Sequence, residues 1–231
     1  MSELRTYTER NLTFRTFLNQ TFFVMALGLL ISALFAFLST LLLKIIPPQI
    51  FVFVMLGSVI VEFAVAMIFS LRLMSMSKTT AWICYILYCA LTGISLSMIL
   101  QVYTLGSASF AFLSTVILFV CMAIIGHTTK ADLSKLGTLL FAGLIAVIII
   151  SLINAFFIHS QLIEIGVCYL GIFIFLGLIA YDVRKLRDLY NHGLNDNELS
   201  EKLMIYGAFQ LYLDFINLFL RLLQIFGKRR D

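Results

Sequence analysis

Gln210, Asp214, Asn217 and Arg221 recur at spacings of four, three and four inside an otherwise apolar stretch, Leu203–Phe226, reading LMIYGAFQLYLDFINLFLRLLQIF. At about 3.6 residues per turn they fall on one stripe of a helix. An ionisable group in the middle of a lipid-facing helix costs roughly 2.5–3.5 kcal/mol. The stripe is therefore expected to face protein or water, with this helix central and the other helices packed around it. A second acid, Asp182, closes the preceding apolar segment. Two carboxyl groups that share a dry site cannot both ionise cheaply; they hold one proton between them and titrate as a unit. With that proton they share a hydrogen bond and clamp two helices. Without it they repel, and take a cation or pair with an arginine such as Arg72. The result is a two-state element biased by pH. Oxygen-only ligands also suit calcium better than a soft transition metal.

The competing account is structural: each acid is satisfied by a neighbouring donor and only holds the helices together. It weighs least on Asp214, which Gln210 and Asn217 accompany on the same stripe. Geometry sets a condition as well. Asp214 lies about 16 Å along a helix from Leu203, so the acids meet only if the last helix starts outside the hydrocarbon or its inner end opens into a wet cavity. Glu62, near the middle of the second apolar segment, and Arg72, at its inner end, are candidates for a gate or latch. For both, a structural acid and a snorkelling end-of-helix arginine are the plainer alternatives, as snorkelling is for Arg221. His127, His159 and His192 lack metal-ligand spacing with one another. The four cysteines lie in apolar segments with no C-x-x-C pair, and are expected to be buried free thiols. No cofactor is expected, calcium entering only as a permeant or bound ion.

The elements that must carry these residues follow from composition. The chain has 231 residues, 61% hydrophobic and 12% charged, against about 45–50% and 25% in soluble domains. It reads as an all-α integral membrane protein, one domain over residues 1–231. Seven spans of about 20 apolar residues are expected near 20–43, 50–71, 80–102, 107–126, 137–158, 163–182 and 203–226. The first is too long for a signal-peptide core and no small-x-small site follows it, so it is expected to be retained. Pro47-Pro48 marks the first loop. No Asp, Glu, Lys or Arg occurs from Thr79 to Thr129, and the small-residue patch Gln101–Ser109 is expected to turn that run back on itself. Thr129 with Asp132, and Asn195 with Glu198, resemble capping boxes. The polar segment Val183–Lys202 is expected to be a solvated loop with short helical pieces.

Orientation follows the distribution of Lys and Arg. With the N-terminus in the cytoplasm, the inner side holds Arg5, Arg10, Arg15, Arg72, Lys78, Lys130, Lys135, Arg184, Lys185, Arg187 and Lys202, and the outer side only Lys44, Lys228, Arg229 and Arg230. The basic tail dissents; a re-entrant last segment would return it to the cytoplasm. The net charge of +4 is explained by these loops and calls for no nucleic acid.

Ala180-Tyr181-Asp182, together with Leu211-Tyr212-Leu213-Asp214-Phe215-Ile216-Asn217-Leu218-Phe219 and Leu222-Leu223, resembles the Bax inhibitor-1 family in its bacterial branch. Leu91-Thr92-Gly93, Thr128-Thr129-Lys130, Asp132-Leu133-Ser134 and Asn154 add to the likeness, which covers nearly the whole chain. The resemblance implies seven transmembrane helices with the last one central, and a pH-sensitive calcium leak whose sensor aspartates correspond to Asp182 and Asp214. It implies an arginine latch at Arg72 and an acid at Glu62, on a more generic sequence context. A bacterial member would sit in the inner (plasma) membrane and serve ion homeostasis or modulate a membrane protease. The expected function is thus a calcium (cation) leak channel and not an enzyme, with the lipid bilayer and calcium ions as partners. The alternative is a non-conducting regulator that binds other membrane proteins. An intramembrane aspartyl protease is disfavoured: Tyr181-Asp182 matches half of that signature, but Asp214 follows Tyr-Leu where Gly-x-Gly should precede it.

Overall fold

The computed structural model describes residues 2–42, 45, 47–129, 131, 133–193 and 197–229; side chains are described from Phe14 onward, those of 48, 49, 51, 52, 55, 74, 192, 193, 197 and 198 aside. Seven α-helices follow one another: α1 Ser2–Leu42, α2 Pro48–Arg72, α3 Lys78–Val102, α4 Leu105–Thr128, α5 Ser134–Ile153, α6 Gln161–Gly193 and α7 Asn197–Phe226. A 3-10 turn, Leu73–Ser75, extends α2, and a π turn, Asn154–Ile158, extends α5. Among the described residues, six stretches are long and apolar enough to cross a membrane: Phe14–Leu42, Lys78–Val102, Leu105–Thr128, Ser134–Ile158, Gln161–Asn191 and Leu199–Phe226. The expected second span falls on α2, which is a helix but not one of these six; it starts at Pro48, a position where proline forfeits no helical bond.

Two expectations about boundaries need correction. The segment from Val183 is no loop: α6 runs on to Gly193. Val183 and Leu186 are buried, and Arg184 and Arg187 spend their charge on the carbonyl ends of α4, donating to Thr129 O at 2.7 Å and His127 O at 2.8 Å. Cations placed there also complement the negative end of the α4 dipole. The Thr129–Asp132 box does not open α5. The position before that helix is Leu133, with no side-chain cap, and Thr129 Oγ1 accepts instead from Ala131 N. Asp132 and Asn195 lie outside the described residues. The cysteines are free, but Cys121 is exposed and Cys84 half-buried, where all four were expected to be buried.

The chain divides into two compact units, Met1–Val102 with Leu189–Tyr212, and Tyr103–Asp188 with Leu213–Asp231. In the first, α3 packs against α1 and α2. Gly93 makes the α1–α3 contact possible, since a Cβ there would meet the Ser32 backbone. Tyr85, Tyr88, Phe69 and Phe209 form an aromatic cluster in this unit, and Tyr212 closes it edge-to-face on both tyrosines. The tyrosine hydroxyl of residue 85 donates to Val24 O at 2.9 Å. Ser32 Oγ lies 2.7 Å from Cys89 O and 2.6 Å from the Tyr212 hydroxyl.

In the second unit, α6 is flanked by α4, α5 and the latter half of α7. Gly126 touches the Ala180 backbone, Gly137 the Tyr181 ring, and Gly177 the Leu140 side chain. Phe112 and Phe119 stack edge-on against Phe215. The tail is pinned to the α3–α4 turn: Thr104 N donates to Lys228 O at 3.0 Å, and Lys228 N to Ser107 Oγ at 2.9 Å. Gly227 leaves room for the Tyr103 ring. α7 runs as one helix to Phe226 with the tail beside that turn, and shows no break of the kind a re-entrant segment would need.

Candidate functional site

Asp182 and Asp214 come together. Because α6 continues past Asp182 to Gly193 and α7 starts at Asn197, both acids lie well inside their helices. That is the early start of the last helix on which their meeting depended. The two carboxyl groups lie near enough for the charge of each to act on the other. Asp214 is 5% exposed, and its Oδ2 finds no donor of good geometry among the described residues. Asp182 is half-buried, and the charge of Lys185, one turn further along α6, acts on it. Lys185 also lies over the Tyr181 ring at 5.9 Å. Two carboxyl groups can share a hydrogen bond only if one of them is protonated. Among the described residues no third His, Cys, Asp or Glu joins them in a metal-binding cluster.

The rest of the stripe is partly satisfied along α7 itself. Gln210 Nε2 donates to the Tyr206 hydroxyl at 2.9 Å, and Asn217 Nδ2 to Leu213 O at 2.8 Å. Arg221 lies across α6 where Gly171 offers no side chain, its Nε 3.2 Å from a Cβ position there. One of its N–H groups donates to Gln224 Oε1 at 3.2 Å.

Glu62 has a different environment. Thr92 Oγ1 and Ser95 Oγ lie 2.7 and 3.0 Å from its two oxygens, with the Tyr88 hydroxyl close by. Arg72 is exposed at the end of α2 and forms no ion pair among the described residues. Its carbonyl accepts from Ser75 Oγ and Met76 N.

An acid pair on two adjoining apolar helices, preceded by Ala-Tyr and Tyr-Leu, can be set beside known proteins. The model of the family described as "Inhibitor of apoptosis-promoting Bax1" matches residues 14–231. The chain belongs to the Bax inhibitor-1 family. It is 37% identical over 221 residues to the inner membrane protein YbhL of Escherichia coli, covering 94% of this chain and 93% of that one. A Borreliella burgdorferi protein is 40% identical over 217 residues, covering 93% of each. A Rickettsia prowazekii protein, RP147, is 36% identical over 233 residues, covering 98% and 97%. This Bax inhibitor-1 family member is an integral membrane protein.

Two features escaped the sequence reading. One is Lys185, hidden in a segment taken for a loop. The other is Gln224, three residues beyond Arg221, which extends the stripe by its own rhythm. Gln224 Oε1 accepts from Cys168 Sγ at 2.9 Å as well as from Arg221.

Proposed function

We propose that this protein is a pH-sensitive cation leak channel, with calcium as the ion, gated by the pair Asp182 and Asp214. The observation that carries the proposal is the proximity of a buried Asp214 on α7 and a half-buried Asp182 on α6, each within the other's electrostatic reach. In the proton-sharing form the hydrogen bond ties the two helices. Full ionisation replaces it with repulsion, and leaves two oxygen ligands that a calcium ion can bridge. Two carboxylates without a third ligand hold calcium briefly, which suits conduction, since a permeant ion must leave as readily as it enters. The charge of Lys185 beside Asp182 tempers the pair's affinity for a cation.

In this reading the chain crosses a bacterial inner membrane seven times, α2 making the second crossing, with the N-terminus cytoplasmic and α7 enclosed by the others. The burial of α7 supports the last point: 67% of its apolar window is buried, against 39% at most in the other five spans. Arg72, exposed at the end of α2, is proposed as the latch residue, and Glu62 as a structural acid on the same helix. No catalytic chemistry is proposed.

The test is calcium flux into proteoliposomes between about pH 6 and about pH 8 for the wild type, Asp182→Asn and Asp214→Asn. A pH-dependent flux whose pH dependence both variants remove is the expected result. Flux no greater than that of empty liposomes at every pH would overturn the channel and leave the non-conducting regulator.

A further inference from the structure

Within the second unit, the π turn after α5, the first turn of α6 and the end of α7 enclose a cavity of about 410 Å3. Its polar wall is Ser151, Asn154, His159, Glu164, Arg221 and Gln224. The wall is built, not incidental. Asn154 bonds the backbone of Ser160 with both ends of its amide, at 3.1 and 2.9 Å, and so fixes the turn. His159 takes a left-handed conformation, φ 55°, that non-glycine residues adopt rarely. The absence of a side chain at Gly171 lets Arg221 lie across α6, and Gln224 anchors one of its N–H groups. The remaining guanidinium donors stay available. Ser151 Oγ is buried with no hydrogen-bond partner among the described residues.

Glu164 and Arg221 carry opposite charges on one cavity, yet they form no ion pair. A ligand bearing an amine and an anionic group a few ångströms apart would satisfy both. The cavity's position says where such a ligand comes from. It lies at the turn between two consecutive candidate spans, Ser134–Ile158 and Gln161–Asn191, hence at a face of the bilayer. Beside it Phe157 is 79% exposed and Leu162 81%, large apolar side chains against which acyl chains can lie.

We propose that this cavity binds the headgroup of an amine-bearing zwitterionic phospholipid, with the phosphate on Arg221 and the ammonium on Glu164. An anionic glycerol headgroup would meet the Glu164 carboxylate without a compensating cation. A trimethylated amine could not donate a hydrogen bond to it. Ser151 and Gln224 add polar contacts around the phosphate.

The experiment is native mass spectrometry of the full chain in detergent, titrated with phosphatidylethanolamine, phosphatidylglycerol and phosphatidylcholine of matched acyl chains. The expected result is a preference of about tenfold for phosphatidylethanolamine, the scale of one charge-assisted hydrogen bond. Arg221→Gln should weaken all three phospholipids, and Glu164→Gln should equalise the ethanolamine and glycerol lipids while leaving binding in place. Equal binding of the three lipids by the wild type, or unchanged selectivity in Glu164→Gln, would overturn the proposal. So would displacement of the lipid by soluble phosphoethanolamine at comparable concentration, which would assign the cavity to a free zwitterion.

Discussion

Glu62 and Asp214 are both acids inside long apolar helices, and their surroundings could hardly differ more. Glu62 receives two hydroxyl groups, Thr92 and Ser95, at 2.7 and 3.0 Å. Asp214 faces another acid, and one of its oxygens is buried without a partner of good geometry among the described residues. The contrast extends to the units that hold them. Among the described residues, the first unit leaves no buried side-chain nitrogen or oxygen unpartnered, whereas the second leaves Asp214 Oδ2 and Ser151 Oγ. A satisfied polar network fixes one arrangement of its helices. A buried group without its full complement of bonds is costly, and a second arrangement that supplies the missing partner becomes accessible. The two acids thus divide into a fastener and a switch.

The largest expected effect comes from breaking the switch. Asp214→Asn keeps a hydrogen-bond donor across the pair and removes its titration. It should hold the pair permanently in the proton-sharing form. Calcium flux should become flat between about pH 6 and about pH 8, at the level the wild type shows at the acid end. Asp182→Asn should do the same, since the proton belongs to the pair. A variant that keeps the wild-type pH profile would remove the switch from this site.

The next largest effect should fall on the packing that holds the pair in register. A Cβ at Gly126 would meet the Ala180 backbone, two residues before Asp182. Backbone cannot swing aside as a side chain can, so Gly126→Ala must separate α4 from α6. Overpacking of this kind costs about 1–3 kcal/mol. A lower thermal midpoint in detergent and a distorted pH profile are expected together. Retention of both would show that α4 and α6 do not form the frame of the pair.

How much of this was legible in the sequence depends on what each feature rests on. The helices were legible because apolar length alone specifies them, and the α3–α4 turn followed from the small residues after Val102. The acid pair was legible from Asp214 and its stripe, but its closure was not. Whether Asp182 and Asp214 meet depends on where α6 stops and α7 starts, and the charges of Arg184, Lys185, Arg187 and Asp188 looked like a loop. In the fold they are helical, because two of the arginines cap α4 while Val183 and Leu186 face inward. The cavity by Arg221 was invisible for another reason. It depends on a π turn and a left-handed His159, and local sequence carries no simple signal for either.

Glu62 sharpens the comparison from the other side. Glu62→Gln keeps one acceptor, and either hydroxyl can turn to accept from the new amide, so the flux profile should be unchanged. Glu62→Leu removes the acceptor shared by the Thr92 and Ser95 hydroxyls, which keep Tyr88 O at 3.0 Å and Ser58 Oγ at 3.4 Å, and the expected loss is about 1–2 kcal/mol of stability with the pH response intact. A pH response altered by the glutamine variant would make Glu62 part of the gate and erase the distinction between fastener and switch.

The smallest expected effect tests the fastener at a single bond. Tyr212 stands two residues before Asp214 on the same helix, so proximity in sequence alone would predict a shared role. Its hydroxyl lies 2.6 Å from Ser32 Oγ, but Ser32 has other partners in Gly28 O and Cys89 O. Tyr212→Phe therefore removes one hydrogen bond and strands no buried donor on Ser32. The cost should be about 1 kcal/mol, read as a thermal midpoint lower by a few degrees, and the ring contacts with Tyr85 and Tyr88 should survive. Because this network contributes rigidity and carries no titrating pair, the flux of Tyr212→Phe should keep the wild-type dependence on pH. A flattened profile would mean that the hydroxyl network of the first unit sets the position of Asp214, and that the fastener is a working part of the switch.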